Sequence, residues 1–204
     1  MATPPNIHAI VFDLGGVLIK LGEPLIKKEW CTTESNLDIT GDAWLLSSTA
    51  QDFEKGLIAP LEFAENIISE LSLNITPTLF IAHFEQWPVG PYPGIFDTLS
   101  QLRDHFTTAV FSNTNASHWP RLLNDMSLAG KVDHYFASHL MHLAKPNPEA
   151  FTFMANAMGL EPNTILFLDD NRHNIDSARH VGFIAHQVIG FESTLRCLHR
   201  LGIL

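Results

Sequence analysis

Apolar runs of strand length recur along this chain, at residues 9–12, 107–113, 133–138, 164–170 and 182–189. The main ones are nearly continuous in Val, Ile, Leu and Phe, the pattern of strands buried on both faces of a sheet. Segments of helical character lie between them, at 95–105, 119–128, 148–158 and 174–180. In the first of these, Ile95, Leu99 and Leu102 repeat at intervals of four and three, while Asp97, Gln101 and Asp104 fall elsewhere. Strand and helix alternating in this way predict an α/β fold, a doubly wound parallel sheet joined by helical crossovers.

One long interval breaks the alternation. Residues 21–88 look helical without a convincing strand, and Leu61, Ala64, Ile68 and Leu71 suggest an amphipathic helix after Pro60. Trp30, Trp44, Phe53 and Trp87 supply enough aromatic surface for a small separate core. The expected organisation is therefore an α/β core from residues 1–20 and 89–204, with a small helical cap inserted at 21–88. The Pro- and Gly-rich stretch 88–94 reads as a hinge or return linker.

The run 9–12 delivers Asp13 and then turns on Gly15 and Gly16. A carboxylate at the C-terminal edge of a buried strand lies where open α/β sheets bind ligands, and it is costly there unless a cation or donors receive it. Three further polar groups follow apolar runs: Ser112-Asn113-Thr114-Asn115, Lys145-Pro146 and Asp169-Asp170. If the strands are parallel neighbours, these ends meet. Paired carboxylates with backbone oxygens suit Mg²⁺, and a hydroxyl, amides and an ammonium suit the oxygens of a phosphate. Asp13 could then attack phosphorus while Mg²⁺ and Lys145 offset the crowded charge.

Composition narrows the partners. The 204 residues carry a formal charge of −10 and are 46% hydrophobic and 17% charged, which fits a folded protein with no affinity for nucleic acid. Two cysteines, Cys31 and Cys197, form no metal-type pair. No apolar stretch is long enough to span a membrane, so a cytoplasmic protein is expected, and the groups at the strand ends point to a small-molecule phosphate ester as its partner. His134, His139 and His142 fit no zinc spacing.

The four polar groups, in this order, resemble the four motifs of the haloacid dehalogenase superfamily, on its Mg²⁺-dependent phosphatase branch. The matching residues are Phe12-Asp13-Leu14-Gly15-Gly16-Val17, Phe111-Ser112-Asn113-Thr114, Lys145-Pro146, and Phe167-Leu168-Asp169-Asp170 with Asn174. Within that branch the likeness extends to the bacterial α-D-glucose-1-phosphate phosphatase group. The resemblance implies a Rossmann-like core with a helical cap in the 21–88 interval. It implies Asp13 as nucleophile, and Mg²⁺ held by Asp13, the Gly15 carbonyl and Asp170. Asp169 and Asn174 would stand behind the metal, Ser112 and Asn113 would grip phosphate, and Lys145 would neutralise nucleophile and phosphate together.

Gly15 departs from that pattern. Most phosphatases of the superfamily place a second aspartate there as general acid and base, a function worth ~10²–10⁴-fold in rate. His118, just beyond the second motif, is the candidate replacement donor. The substrate group also departs, because relatives often carry an acid seven residues after the nucleophile, where this chain has Lys20 with Glu23 nearby. Two alternatives stay open: a catalytically weak or inactive binding protein of the same fold, and a haloacid dehalogenase, whose relatives need no Mg²⁺.

Overall fold

The computed structural model describes residues 6–22, 24–31, 44 and 47–204; Glu23 and residues 32–43, 45 and 46 of the cap interval lie outside them. Five parallel strands form the central sheet: β1 (Ala9–Phe12), β4 (Thr107–Ser112), β5 (His134–Ala137), β6 (Ile165–Asp169) and β7 (Ile184–Gln187), in spatial order β5-β4-β1-β6-β7. The chain runs outward from β1 to β4 and β5, then returns to the other side of β1 for β6 and β7. That reversal makes the C-terminal end of β1 the switch point of the sheet, where a crevice opens.

Both faces of the sheet are covered, which is why its strands read as continuous apolar runs. Residues alternate between faces with period two. Ile10, Phe12, Val110, Leu166 and Leu168 pack with Ile95, Leu99 and Leu102 of α4 (Ile95–Arg103) and Leu198 of α9 (Phe191–Arg200). Ala9, Val11, Phe111, Ile165 and Phe167 pack with Phe151 and Met154 of α7 (Pro148–Met158) and Ile175 and Ala178 of α8 (Arg172–Val181). The remaining core helices, α5 (Trp119–Leu123) and α6 (Ser138–Met141), are short.

The cap has its own core. Helices α1 (Ser48–Glu54), α2 (Pro60–Glu70) and α3 (Pro77–Glu85) bury Phe53, Phe63, Ile67, Phe80 and Phe84, with Trp30, Trp44 and Trp87 against them. Phe53 and Phe63 stack face to face at 4.1 Å. Ser47 caps α1 by accepting from the Ala50 N–H, and Thr76 caps α3 in the same way from Leu79.

The Pro-rich stretch expected to be a hinge or return linker contains a strand. β3 (Pro88–Pro91) pairs antiparallel with β2 (Ile19–Leu21) as a two-stranded ribbon, so the chain enters and leaves the cap side by side. Proline is tolerated because a two-stranded ribbon consists of edges, and the register shifts at Lys20/Leu21. Two side chains of the core reinforce this junction: Arg121 donates to the carbonyls of Glu85 and Pro88, and His118 to that of Phe84.

Phe63 lies at the centre of the cap cluster and is fully buried. Phe63→Ala should cost about 3–5 kcal/mol, read as a lowered midpoint in urea unfolding; a loss under about 1 kcal/mol would mean the ring does not organise the cap.

Candidate active site

The C-terminal ends of β1, β4 and β6 converge with the loop before α7, and Lys145 stands at their centre. Its Nζ donates to Asp13 Oδ1 at 2.8 Å, to Asp169 Oδ2 at 2.7 Å and to the Phe111 carbonyl at 2.8 Å. Lys145 is 4% exposed. Burial works against its charge, but Asp13 and Asp169 outweigh that and raise its pKa.

Asp169, fully buried, is saturated with donors. Oδ1 accepts from the Asn171 N–H and from Asn174 Nδ2, and Oδ2 accepts from Lys145 and again from Asn174. It fixes the lysine and the β6–α8 loop and has little left to offer a ligand. Asn171, at the edge of the site, also caps α8.

Asp13 and Asp170 are crowded and undercompensated. Burial pushes Asp13 up to about 7, with Asp169 and Asp170 adding to the rise and Lys145 opposing it. Burial, then Asp169, pushes Asp170 up to about 6. Oxygens of Asp13, Asp169 and Asp170 lie within 4.8 Å of one another, the metal-capable cluster among the described residues. Three carboxylates face one ammonium, and a divalent cation would restore the balance. The donor set is all oxygen, as Mg²⁺ requires.

The two glycines make room for this cluster. Gly16 sits at φ +69°, and a Cβ there would collide with the Asp170 carboxylate. The turn is closed by the Gly16 N–H on the Ile19 carbonyl and the Ile19 N–H on the Leu14 carbonyl. The Gly15 carbonyl takes no part in either bond. A side chain at Gly15 would press on the Leu21 methyls at 3.2 Å, a contact with the flexible end of a side chain.

Ser112 and Asn113 lie beside the lysine. The Ser112 hydroxyl makes only a long bond, 3.3 Å, to the Asn113 carbonyl. The Asn113 side chain is committed elsewhere: Nδ2 donates to the Lys145 carbonyl at 2.8 Å and Oδ1 accepts from the Lys145 N–H at 2.9 Å. Asn113 therefore holds the lysine loop with its amide.

His118 lies away from this cluster, beneath the cap. Its Nε2 donates to the Phe84 carbonyl at 2.7 Å, which leaves Nδ1 to accept from Asn115 Nδ2 at 3.2 Å. The ring stacks on Phe84 at 4.2 Å. Burial lowers its pKa to about 4. With both nitrogens engaged and the ring neutral, His118 fastens the cap and is not placed as a proton donor.

Glu54 is the site residue that the sequence reading passed over. It ends α1, and its carboxylate accepts from Asn113 Nδ2 at 3.3 Å and from Trp44 Nε1 at 3.1 Å. Burial raises its pKa, against those two bonds and the charges of Lys145 and Lys55. The available signal was an acid at a helix C-terminus, where the helix dipole disfavours it, next to a cap-core phenylalanine. Of the other groups considered, Lys20 is exposed, Cys31 and Cys197 are free thiols, and His142 bonds the Lys55 carbonyl.

Comparison with known proteins agrees with this geometry. Residues 7–182 match the haloacid dehalogenase-like hydrolase family, and the chain belongs to it. It is 26% identical to a D-ribitol-5-phosphate phosphatase of Bacteroides thetaiotaomicron, over 89% of this chain and 91% of that one. A (S)-2-haloacid dehalogenase of a Pseudomonas species is 24% identical, over 87% and 82%. A family enzyme from Bacteroides thetaiotaomicron, solved in complex with magnesium and inorganic phosphate, superposes with a TM-score of 0.72 at 26% identity, over 89% and 94%. Among the described residues no helix is long and apolar enough to cross a membrane.

The raised carboxyls make metal-free stability depend on pH. Asp13 favours the folded state while protonated, a contribution present below its ordinary value of 3.8 and lost as pH rises through about 7; the Asp170 share is lost through about 6. His118 acts oppositely, withdrawing stability as pH falls from 6.5 toward about 4. In chelator, the native melting temperature should therefore gain on that of Asp13→Asn as pH is lowered from about 8 to about 6. A constant difference between the two proteins would show that Asp13 is not strained by its neighbours.

Proposed function

We propose that the protein is a Mg²⁺-dependent phosphatase that hydrolyses a small phosphorylated metabolite, of the sugar-phosphate class, through a phosphoryl group carried on Asp13. The observation that carries this reading is Lys145 bonded at once to Asp13 and Asp169 beside the uncompensated Asp170. Asp13 is held by a cation and aimed out of the sheet at the switch point, so it can attack a phosphorus atom seated there. The Ser112 hydroxyl and the Asn113 main-chain N–H would donate to phosphoryl oxygens, and Lys145 would offset charge on both partners.

Asp13, Asp170 and the Gly15 carbonyl would hold Mg²⁺, with Asp169 and Asn174 behind them. When bound, the ion offsets the charge of the carboxylates and the phosphoryl group. Residues 21–88 would close over the substrate as a cap, and their side chains would select it. The phosphatase relative acting on D-ribitol 5-phosphate supports a polyol or sugar phosphate as the class.

The crowding of carboxylates favours this reading over dehalogenation, which calls for no divalent cation. It also argues against a purely binding role, because a buried cation between carboxylates is costly to desolvate and a scaffold gains nothing from it. Phosphate release from sugar and polyol phosphates should require Mg²⁺, stop with chelator and resume on adding the ion. Asp13→Asn should reduce it by about a thousandfold or more, and Lys145→Ala by at least ~10²-fold. Full turnover without metal, full turnover by a folded Asp13→Asn protein, or halide release from haloacids would overturn the proposal.

A further inference from the structure

The phosphatase reading, on which this inference rests, leaves one chemical step without a residue. A phosphoryl transfer places the attacking and leaving oxygens roughly in line across phosphorus. Asp13 attacks from the sheet, so the leaving oxygen faces the cap. Gly15 has no side chain to protonate it, and both ring nitrogens of His118 are engaged.

Among the described residues, Glu54 is a carboxyl that the cap interval brings against Asn113 beside the site. Its main-chain carbonyl accepts from the Ser138 hydroxyl at 2.5 Å, and the next carbonyl, of Lys55, accepts from His142 at 2.8 Å. These two bonds fasten the end of α1 to the β5–α6 segment. The side chain then reaches Asn113, whose amide is bonded to the backbone of Lys145, the residue that holds the nucleophile. Glu54 is thus linked through one side chain to the lysine loop, and the residue as a whole is half-buried.

Its hydrogen bonds leave the acid function available. Trp44 donates to Oε1 and Asn113 to Oε2, and each oxygen keeps a second lone pair on which a proton can sit. A carboxylate in the last turn of a helix opposes the helix dipole, so the placement carries a cost to stability that function can explain. The charged groups acting on it are Lys145 from the site and Lys55 from its own helix end. Burial works against them and keeps the carboxyl protonated closer to neutrality than an exposed glutamate.

We propose that Glu54 is the general acid and base of this enzyme, in place of the side chain absent at Gly15. In the first step the Asp13–phosphorus bond forms, the bond from phosphorus to the ester oxygen breaks, and the Glu54 proton passes to that oxygen, releasing an alcohol. In the second step the Glu54 carboxylate takes a proton from water, whose oxygen attacks phosphorus. The Asp13–phosphorus bond breaks, and inorganic phosphate leaves with both carboxyls restored.

Leaving-group dependence separates this role from a structural one. The full chain with Mg²⁺ is assayed for phosphate release from an alkyl phosphate and from p-nitrophenyl phosphate, as native protein, Glu54→Gln and Glu54→Asp. Glu54→Gln should lose ~10²–10⁴-fold in kcat/KM on the alkyl ester and less than about tenfold on the nitrophenyl ester, whose leaving group needs no proton. Glu54→Asp, which keeps a carboxyl, should recover part of the alkyl-ester rate. Equal losses on both esters, or no loss on either, with an active native enzyme would overturn the Glu54 role alone and leave the phosphatase reading standing. A native protein that releases phosphate from neither ester would overturn both. Should Glu54→Gln not fold, the same ratio is read from Glu54→Asp: a loss confined to the alkyl ester supports the role, and an equal or absent loss overturns it.

Discussion

A single buried ammonium organises this molecule's chemistry. Lys145 joins the ends of three neighbouring strands through Asp13 on β1, the Phe111 carbonyl on β4 and Asp169 on β6. Each partner is held in turn: Asn113 fixes the lysine backbone, and Asn174 and Asn171 fix Asp169. Without the cation, two largely buried carboxylates would be left uncompensated, a far larger penalty than losing an exposed ion pair. The geometry of Asp13 therefore depends on one side chain from a loop more than a hundred residues away in sequence.

The same ammonium falls two charges short of the carboxylates around it. Asp170 adds a third carboxylate beside a cation already shared by two, and Asp13 and Asp170 both rise well above the ordinary range in response. On the proposed function the excess negative charge would draw a divalent cation, and with that cation bound the site would no longer repel a phosphate; metal binding and phosphate binding would then be two consequences of one imbalance. The inserted helices are held by the paired strands of the ribbon and by His118 and Arg121, and they bring the Glu54 carboxylate to Asn113; in the proposed function they would complete the site from above.

Much of this was legible in the chain. Strands buried on both faces produce continuous apolar runs, so the sheet and the polar residues at its strand ends could be read directly. Helix α7 was marked at both ends, by Pro148 at its first position and Gly159 in the left-handed region after Met158. The β2–β3 ribbon was not legible, because prolines in an edge strand give the same signal as a loop. The 119–128 helix ends at Leu123, and α9 was missed although Phe191, Leu195 and Leu198 repeat at helical spacing. The cap ring cluster was only partly seen, since the tryptophans stand out in composition while Phe63, Phe80 and Phe84 do the central packing. Spacing brought His118 near the second motif without revealing that the Phe84 carbonyl would accept its Nε2–H. Glu54 lay 59 residues from Asn113, and only the folded cap brings them together.

The central claim is that Asp13 itself takes the phosphoryl group. Turnover of a phosphate ester with Mg²⁺, quenched in acid and examined by peptide mass spectrometry, tests it directly. The peptide bearing Asp13 should gain one phosphoryl group on that residue, and the gain should be absent in Asp13→Asn. Steady turnover with no phosphorylated peptide at any quench time, or with the group on another residue, would contradict the account.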